Sequence, residues 1–302
     1  MSGIVFGPVT SRRFGISLGV DLSPKGKQCN FDCLYCELAK APPVQTMHEV
    51  VPYEDVLEAV KQGLNAHPQA QYITLTANGE PTLYPYLKEL VHALKALHVR
   101  QKLLLLSNGS TIANKEVQAA LQEIDVVKLS LDCASQRCFE KLDRPHKTLR
   151  VDEMIKGMQT FAKTFRHTLI LEILVVEGVN DTPEAFEALA QAIGVIAPAR
   201  VDVGTIARPP AYGVKGVSEA RLRELARLIV GVPVTVPRDA NYASLFHFNE
   251  GELLELLTKR PQSTHDVENS FDETSKKALE ALMQTGKVYE DSVAGVSFYR
   301  TK

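Results

Sequence analysis

The chain has 302 residues, 45% of them hydrophobic and 23% charged, so it can bury a sizeable core and is neither disordered nor fibrous. Its formal net charge of −2 provides no overall basic field to attract nucleic acid, although a local basic patch stays open. No run approaches the ~18 apolar residues of a membrane span, and no basic stretch followed by a long apolar one begins the chain, so we expect a cytoplasmic protein without a secretory signal.

Six apolar segments predict β-strands, at 16–21, 71–76, 101–106, 125–131, 168–176 and 200–206. They are rich in Ile, Leu and Val with little polar alternation, which is typical of strands covered on both faces. Amphipathic segments lie between them, such as the stripe of Val56, Val60 and Leu64. This series predicts an α/β fold with a parallel sheet, open or curved into a barrel, whose functional loops follow the C-terminal strand ends.

The pattern changes after about residue 245, where three short helices are predicted at 250–258, 263–269 and 274–285. A hairpin with its turn near Ala294 and Gly295 is predicted to follow them. We therefore predict a barrel domain over residues 1–245 and a small winged-helix-like domain over residues 246–302.

The charge of the C-terminal segment bears on its partners. Residues 250–302 carry seven Lys and Arg against ten Asp and Glu, a net charge of −3. Duplex DNA binding normally requires a basic face, so this balance argues against duplex DNA and favours docking to a protein or covering of the barrel. RNA recognition through a small basic patch stays open.

Three of the five cysteines lie within eight positions, as Cys29, Cys33 and Cys36 in C-x3-C-x2-C spacing. An odd number concentrated in this way argues against a disulfide framework and favours a metal or cluster site in a reducing compartment. Zinc sites usually add a second Cys/His pair, and the sequence has no second C-x2-C. The alternatives are a zinc ion on these cysteines and His48, or three buried thiols.

Three thiolates on a four-iron cluster leave one iron with an open coordination position, where a substrate or cofactor can bind. The C-x3-C-x2-C spacing, with Tyr35 before the last cysteine and a strand before the loop, resembles the radical S-adenosylmethionine (SAM) superfamily. The resemblance implies a partial (β/α)6 barrel with a [4Fe–4S] cluster on Cys29, Cys33 and Cys36. It implies that SAM chelates the fourth iron, and that an electron from a donor such as flavodoxin or ferredoxin cleaves SAM to a 5′-deoxyadenosyl radical.

Polar segments at successive strand ends match the places where members of this superfamily contact SAM. They are residues 78–81 (Asn-Gly-Glu-Pro), residues 107–109 (Ser-Asn-Gly) and the end of the fourth predicted strand. Each segment alone marks a turn as readily as a site, but all fall on the same edge of the sheet. The resemblance implies SAM contacts at Tyr35, Asn78, Gly79, Glu80, Pro81, Ser107, Asn108, Gly109, Ser130 and Asp132.

Further segments resemble the branch of this superfamily that includes wyosine-forming tRNA-modification enzymes. They are residues 7–15 (GPVTSRRFG), 17–21, 144–146 (Arg-Pro-His) and 205–210 (TIARPP). The wyosine enzymes carry a second cluster on additional N-terminal cysteines, whereas Cys29 is the first cysteine here. We therefore do not expect the wyosine reaction itself.

Five charged residues are candidates for substrate contact. Arg12 and Arg13 predict a rim that contacts phosphate or carboxylate groups, or else an ordinary solvated cluster. Arg208 follows the sixth strand in a loop that two prolines stiffen. Glu172 interrupts an apolar strand, so it is expected to face the barrel interior or a cation, with Lys128 as the expected partner.

The remaining cysteines, Cys133 and Cys138, follow the fourth strand. Two thiolates are too few for an independent four-iron cluster without ligands from elsewhere. The two cysteines could ligate an auxiliary cluster with such outside ligands, form a redox pair or pack as small apolar side chains.

These observations favour a radical SAM enzyme acting on a tRNA or other RNA base. One alternative is an enzyme of the same superfamily that modifies a peptide or protein. The other is a non-catalytic iron–sulfur redox sensor that acts through the winged helix. Turnover of SAM separates enzyme from sensor, and co-purifying RNA separates the two classes of substrate.

Overall fold

A computed structural model describes residues 3–11, 13–236, 245–293 and 296–301. Its larger part is an open eight-stranded sheet whose strands follow chain order from one edge to the other. The strands are β1 (Val5–Ser11), β2 (Gly15–Asp21), β3 (Tyr72–Thr76), β4 (Lys102–Ser107), β5 (Val126–Ser130), β6 (Thr168–Val175), β7 (Arg200–Thr205) and β8 (Val234–Thr235). Strands β2 to β8 are parallel and β1 is antiparallel to β2.

Helices connect the parallel strands and cover one face of the sheet. They are α1 (Tyr53–Ala66), α2 (Leu87–Ala96), α3 (Lys115–Leu121), α4 (Gln136–Leu142), α5 (Val151–Thr164), α6 (Pro183–Ile196) and α7 (Glu219–Ala226). The start of α6 illustrates the local causes, since the Thr182 hydroxyl accepts a hydrogen bond from the Ala185 amide and Pro183 fits the first turn. The α/β fold and the six predicted strands, β2 to β7, are thus confirmed as the partial barrel.

The two faces of each parallel strand differ in what they contact. In β6, Leu171 and Ile173 lie under the helices, while Ile170 and Glu172 point to the opposite face, called here the inner face. Ile170 packs there with Leu104 and Val126 in a small apolar layer. The inner face therefore holds charged side chains beside a small apolar layer, although the strand sequences are mainly apolar.

Residues 245–301, called here the C-terminal module, form a second assembly. Its elements are α8 (Glu250–Lys259), β9 (Gln262–Ser263), α9 (Thr264–Ser270), α10 (Glu273–Gln284), β10 (Val288–Val293) and β11 (Val296–Thr301). Capping boxes at Asn249 and Ser263 start α8 and α9. The three predicted helices and the hairpin strands are present, whereas the predicted turn at Ala294 and Gly295 lies outside the described residues. The sequence missed β9, which completes a sheet in the order β10-β11-β9.

The C-terminal module packs on the edge of the large sheet. Its core, built on Phe248 and Leu256, includes Val9 of β1, and Phe6 packs against it. The sequence did not predict β1, because its VFGPVTS run is short and is interrupted by Gly-Pro. In the structure, the register of β1 opposite β2 is irregular. In the described ranges, no helix is both long and apolar enough to cross a membrane.

Truncation of Phe248 tests the core of the C-terminal module. Its ring is fully buried and lies 5.1 Å from the ring of Phe271. We expect Phe248→Ala to lower the free energy of unfolding by about 3–5 kcal/mol, through lost burial and a residual cavity. Chemical denaturation measures it, with Val230→Ala, whose side chain is exposed, as a control that shifts stability by less than about 0.5 kcal/mol. A loss for Phe248→Ala no larger than the control's would contradict this packing.

Candidate active site

The three clustered cysteines lie in the loop between β2 and α1, and none of them is in a disulfide. Burial is the main cause that raises the pKa of each thiol, to about 12 for Cys29, and nearby carboxylates add to the shift, Glu80 for Cys29 and Asp143 for Cys33. At neutral pH these thiols therefore stay protonated until a metal replaces their protons, as metal ligands require.

The donor set of this loop fits an iron–sulfur cluster. The amide of Phe31 donates to the Cys29 sulfur at 3.4 Å, and the side-chain amide of Asn108 donates to it at 3.6 Å. Hydrogen bonds to the sulfurs are a recurring feature of protein-bound clusters. Across the described ranges, no three His, Cys, Asp or Glu side chains lie close enough together to hold one metal ion, the three cysteines included, so this spacing is the same for the zinc alternative with His48 and for a cluster.

The segment after α4 holds the cysteine loop from outside. The Leu34 amide donates to the Leu142 carbonyl at 2.9 Å, and the His146 amide donates to the Asn30 carbonyl at 2.8 Å. The Arg-Pro-His motif at 144–146 therefore has a structural role, since it forms part of this support. Such contacts are needed because the cysteine loop has no regular secondary structure of its own.

Tyr35 and Asp132, both expected SAM contacts, meet directly. The Tyr35 hydroxyl donates to Asp132 Oδ2 at 2.6 Å, and the Leu174 amide donates to Oδ1 at 2.6 Å. Burial raises the pKa of Asp132 to about 7, and burial together with Asp132 raises that of Asp143, which contacts the Cys33 sulfur at 3.6 Å. Two buried carboxyl groups thus lie behind the last two cysteines.

The loop at residues 78–81 presses against the cysteine loop. Gly79 has a φ of 143°, and a Cβ built there would lie 1.9 Å from the Gln28 carbonyl oxygen, so only glycine fits. The Gln28 amide donates to the Asn78 carbonyl at 2.8 Å. Pro81 begins a buried single turn, Pro81–Leu83, just behind this contact.

Glu80 organises the loops rather than presenting a free carboxylate. Its Oε1 accepts hydrogen bonds from Thr82 and, at 2.7 Å, from the Ser107 hydroxyl, while its Oε2 accepts one from the Asn108 amide at 2.7 Å. Burial is the largest influence on its pKa and raises it. Glu80 therefore joins the end of β3 to the end of β4, a role the sequence analysis did not assign to it.

The 107–109 segment completes the connection to the cysteines. The Asn108 side chain donates to Asn30 Oδ1 at 2.9 Å in addition to contacting Cys29, and the Gly109 amide donates to the Ser107 hydroxyl at 3.0 Å. Ser130 ends β5 opposite Glu172 of β6. The expected SAM-contact residues are thus assembled around the cysteine loop from four successive strand ends.

Charged side chains form an interior ion network on the inner face of the sheet. Glu172 Oε1 lies 2.6 Å from Arg13 and 2.5 Å from Lys128, the partner expected from the sequence. Asp202 lies 3.5 Å from Lys128, 3.4 Å from Arg13 and 2.8 Å from Arg200. Burial opposes the shift, but the neighbouring cations lower the pKa of both carboxyl groups. Within the described part of the chain, the network contains three cations and two carboxylates.

Asp202 and Arg200 belong to this network and were missed. The signal was present, because Asp202 interrupts the apolar strand β7 as Glu172 interrupts β6, and the two residues are paired across the sheet. The Glu172 side chain keeps 32% of its exposure, so it is reachable from the inner side, whereas that of Asp202 is fully buried.

Of the other two candidate arginines, the structure describes Arg208. Arg208 pairs with Glu37, next to Cys36, at 2.7 Å, so it lies beside the cysteine loop. Arg12 lies outside the described residues.

A cavity of mixed charge adjoins the cysteine loop. The Tyr212 ring has Lys40 Nζ 4.3 Å and the Arg144 guanidinium 4.7 Å from its centre, and its hydroxyl donates to Asp32. The adjoining cavity of about 490 Å³ is lined by Asp32, Lys40, Ala41, Pro42, Pro43, Glu140, Arg144 and Pro145. The sequence analysis did not identify it.

The remaining two cysteines, Cys133 and Cys138, are joined by a disulfide that links the end of β5 to the first turn of α4. Of the three possibilities raised by the sequence, this pairing matches the redox pair and differs from separate packed thiols.

Comparison with known proteins gives a consistent result. The family model described as the Radical SAM superfamily matches residues 23–193. The chain is 39% identical over 299 residues to a "UPF0026 protein" of Helicobacter pylori strain J99, covering 98% of this chain and 97% of that relative.

Two solved structures share the fold. SuiB of Streptococcus suis has a TM-score of 0.56 at 17% identity, over 78% of this chain and 54% of SuiB. A radical SAM methyltransferase from Sphaerobacter thermophilus has a TM-score of 0.55 at 15% identity, over 73% of this chain and 65% of that enzyme. The chain therefore spans less than two thirds of either of these proteins.

Substitution of Gly79 tests the contact between the two loops. We expect Gly79→Ala to lose most of its capacity to hold a cluster, because the added Cβ would overlap the Gln28 carbonyl and displace the cysteine loop. Iron and sulfide content after anaerobic reconstitution measures this. Gly26→Ala, whose added Cβ meets no atom within 4 Å, is the matched control and should load normally. Normal loading of Gly79→Ala would refute the predicted clash.

Proposed function

This chain belongs to the radical SAM superfamily, and from that premise we propose that it is an enzyme that modifies a base of tRNA or another RNA. Cluster and SAM, when bound, supply a carbon radical that can take a hydrogen atom from the substrate. In this proposal Cys29, Cys33 and Cys36 hold the cluster. The expected SAM contacts then orient SAM at the open iron, and the walls of the sheet exclude water.

The contacts between strand-end loops support this assignment of the SAM site. Glu80 links the 78–81 loop to Asn108, Asn108 contacts the Cys29 sulfur, and Asp132 holds the Tyr35 hydroxyl. Backbone and side-chain polar groups from three loops thus converge on the thiols from one side. A cofactor that chelates a cluster iron needs such groups close to the cluster, because its own polar atoms lose water on binding.

The interior ion network is the observation that favours an anionic, nucleotide-like substrate. Among the residues that the structure describes, it brings Arg13, Lys128 and Arg200 together, and Glu172 beside them is open to the inner side. Guanidinium and ammonium groups bind phosphate oxygens, and a carboxylate accepts hydrogen bonds from base N–H groups. A peptide substrate would more often be matched by apolar and main-chain-binding walls, so peptide or protein modification is the second candidate within the same chemistry.

The C-terminal module and the reductant complete the proposal. The module's element order, helix, strand, helix, helix, strand, strand, supports a winged-helix-like domain beginning near residue 246 that contacts substrate or partner rather than duplex DNA. The reductant in this proposal is an electron donor of the flavodoxin or ferredoxin class, because reductive cleavage of SAM consumes an electron.

Reductive cleavage of SAM tests the enzyme assignment. The full chain, reconstituted anaerobically with iron and sulfide, should release 5′-deoxyadenosine from SAM in the presence of dithionite. Cys33→Ala should release none, because it removes a cluster ligand, while Cys133→Ala/Cys138→Ala, which removes two cysteines outside the loop, should keep its cluster. A native chain that holds a cluster but never cleaves SAM would favour the non-catalytic redox sensor.

The substrate assignment is tested through the interior ion network. Bulk tRNA should increase 5′-deoxyadenosine release by the loaded enzyme and yield a nucleoside of altered mass. Lys128→Met should reduce the tRNA-stimulated rate by about tenfold or more, because it removes a cation from the substrate side, and leave the unstimulated rate unchanged. Lys95→Met, which breaks an ion pair with Asp125 outside the site, is the control. Stimulation by a peptide mixture and not by tRNA would overturn the RNA assignment.

A further inference from the structure

A buried ion pair joins the C-terminal module to the large sheet. The Nζ atom of Lys259, the last residue of α8, lies 2.5 Å from Asp21 Oδ2 at the end of β2. Lys259 also donates to the Pro24 carbonyl at 3.3 Å. The side chains keep only 8% and 2% of their exposure, so both charges have left water. Burying two charges costs free energy unless each charge is paired and hydrogen-bonded.

The second oxygen of the same carboxylate holds two loops of the site. Asp21 Oδ1 accepts hydrogen bonds from the Ser23 amide at 2.9 Å and from the Asn78 amide at 2.8 Å. Ser23 begins the segment that leads to Cys29, and Asn78 begins the 78–81 loop. One buried side chain therefore contacts the C-terminal module, the approach to the cysteine loop and the expected SAM loop.

The Asn78 peptide is fixed on both sides by this arrangement. Its amide donates to Asp21, and its carbonyl accepts from the Gln28 amide at 2.8 Å. The Gln28 side chain in turn donates to the Ser23 hydroxyl at 2.8 Å, and the Gln28 carbonyl accepts from the Glu80 amide at 3.1 Å. A change at Asp21 would therefore reach both ends of the 78–81 loop through directly bonded groups.

The Asp21 carboxylate is paired with a cation of the module. Among the residues that the structure describes, Lys259 is the one cation within 4 Å of the Asp21 carboxylate. Removal of the lysine would leave a carboxylate without its cation in a dry site, where it must attract water or move. Each of these outcomes disturbs the two amide hydrogen bonds that Asp21 accepts.

We propose that Lys259 is a positioning residue through which the C-terminal module orders the SAM-binding loop. The inference rests on the proposed SAM site at residues 78–81 and adds that docking of the module and binding of SAM favour each other. Coupling between two sites is reciprocal, so SAM should also tighten the packing of α8 on the large sheet. A ligand of the module could in this way alter SAM binding without touching it.

The experiment compares Lys259→Met with two other variants in the reconstituted full chain. Asp21→Asn/Lys259→Met buries no lone charge, and its amide oxygen can still accept from Ser23 and Asn78. Lys276→Met removes a partly exposed lysine on α10 that pairs only loosely with Glu273 at 3.1 Å, and serves as control. Iron content, equilibrium SAM binding, and amide hydrogen exchange of residues 76–80 and 250–259 are measured for each, the exchange with and without SAM.

The proposal expects Lys259→Met to weaken SAM binding by about tenfold and to speed exchange at residues 76–80, with iron content unchanged. The double variant should recover part of both effects, and Lys276→Met should match the native chain. In the native chain, SAM should slow exchange at 250–259. Faster exchange confined to the C-terminal module, with native SAM affinity in Lys259→Met, would overturn the proposal and leave Lys259 a merely structural anchor.

If Lys259→Met does not fold, the double variant and the native chain decide the question. Native SAM affinity and native exchange at 76–80 in the double variant are then expected at most in part, and no slowing of exchange at 250–259 when SAM binds the native chain overturns the proposal. Failure of the proposed function is a separate result, because then the native chain holds iron but binds no SAM, while the exchange comparison without SAM still reports the link between Lys259 and the 78–81 loop.

Discussion

Buried carboxylates at the strand ends are the interactions on which the rest of the site depends. Asp21 after β2 accepts the Asn78 amide, Glu80 after β3 accepts the Asn108 amide, and Asp132 after β5 accepts the Leu174 amide. Each carboxylate thus binds a backbone N–H that belongs to the next or a neighbouring strand end. Hydrogen bonds to a charged acceptor in a dry environment are short and strong, so these three contacts set the relative positions of the loops.

This arrangement explains how a loop without secondary structure can present three thiols. The cysteine loop obtains its shape from outside: from the Gly79 contact on one side, from Asn108 at the Cys29 sulfur, and from Tyr35 on Asp132. The apolar face under the helices supplies most of the buried area and therefore the stability of the domain. The strand-end carboxylates supply geometry instead, since each satisfies amides that regular secondary structure leaves unpaired.

The sequence predicted the parallel strands and the helices well because their signal is local. A run of Leu, Ile and Val predicts a buried strand such as β4, and an amphipathic stripe predicts a helix such as α1. It failed at β1 and β9, where pairing depends on residues far along the chain. It did not predict that the Glu80 side chain joins two loops. The reasoning that identified Glu172 could also have identified Asp202. It could not have identified Lys259, because no local sequence signal predicts that a lysine at a helix end is buried.

The interior ion network follows a different rule from the strand-end carboxylates. Asp21, Glu80 and Asp132 are buried with matched donors, whereas the network leaves the Glu172 side chain 32% exposed beside Arg13 and Lys128. Burying charged groups in a sheet costs free energy that their ion pairs only partly return. A binding site on the inner face would use the same charges, because guanidinium and ammonium groups donate hydrogen bonds to anionic oxygens. The charges that are unfavourable for the stability of the sheet are therefore the ones that suit it to bind a polar group, which is the usual relation between stability and function at a binding site.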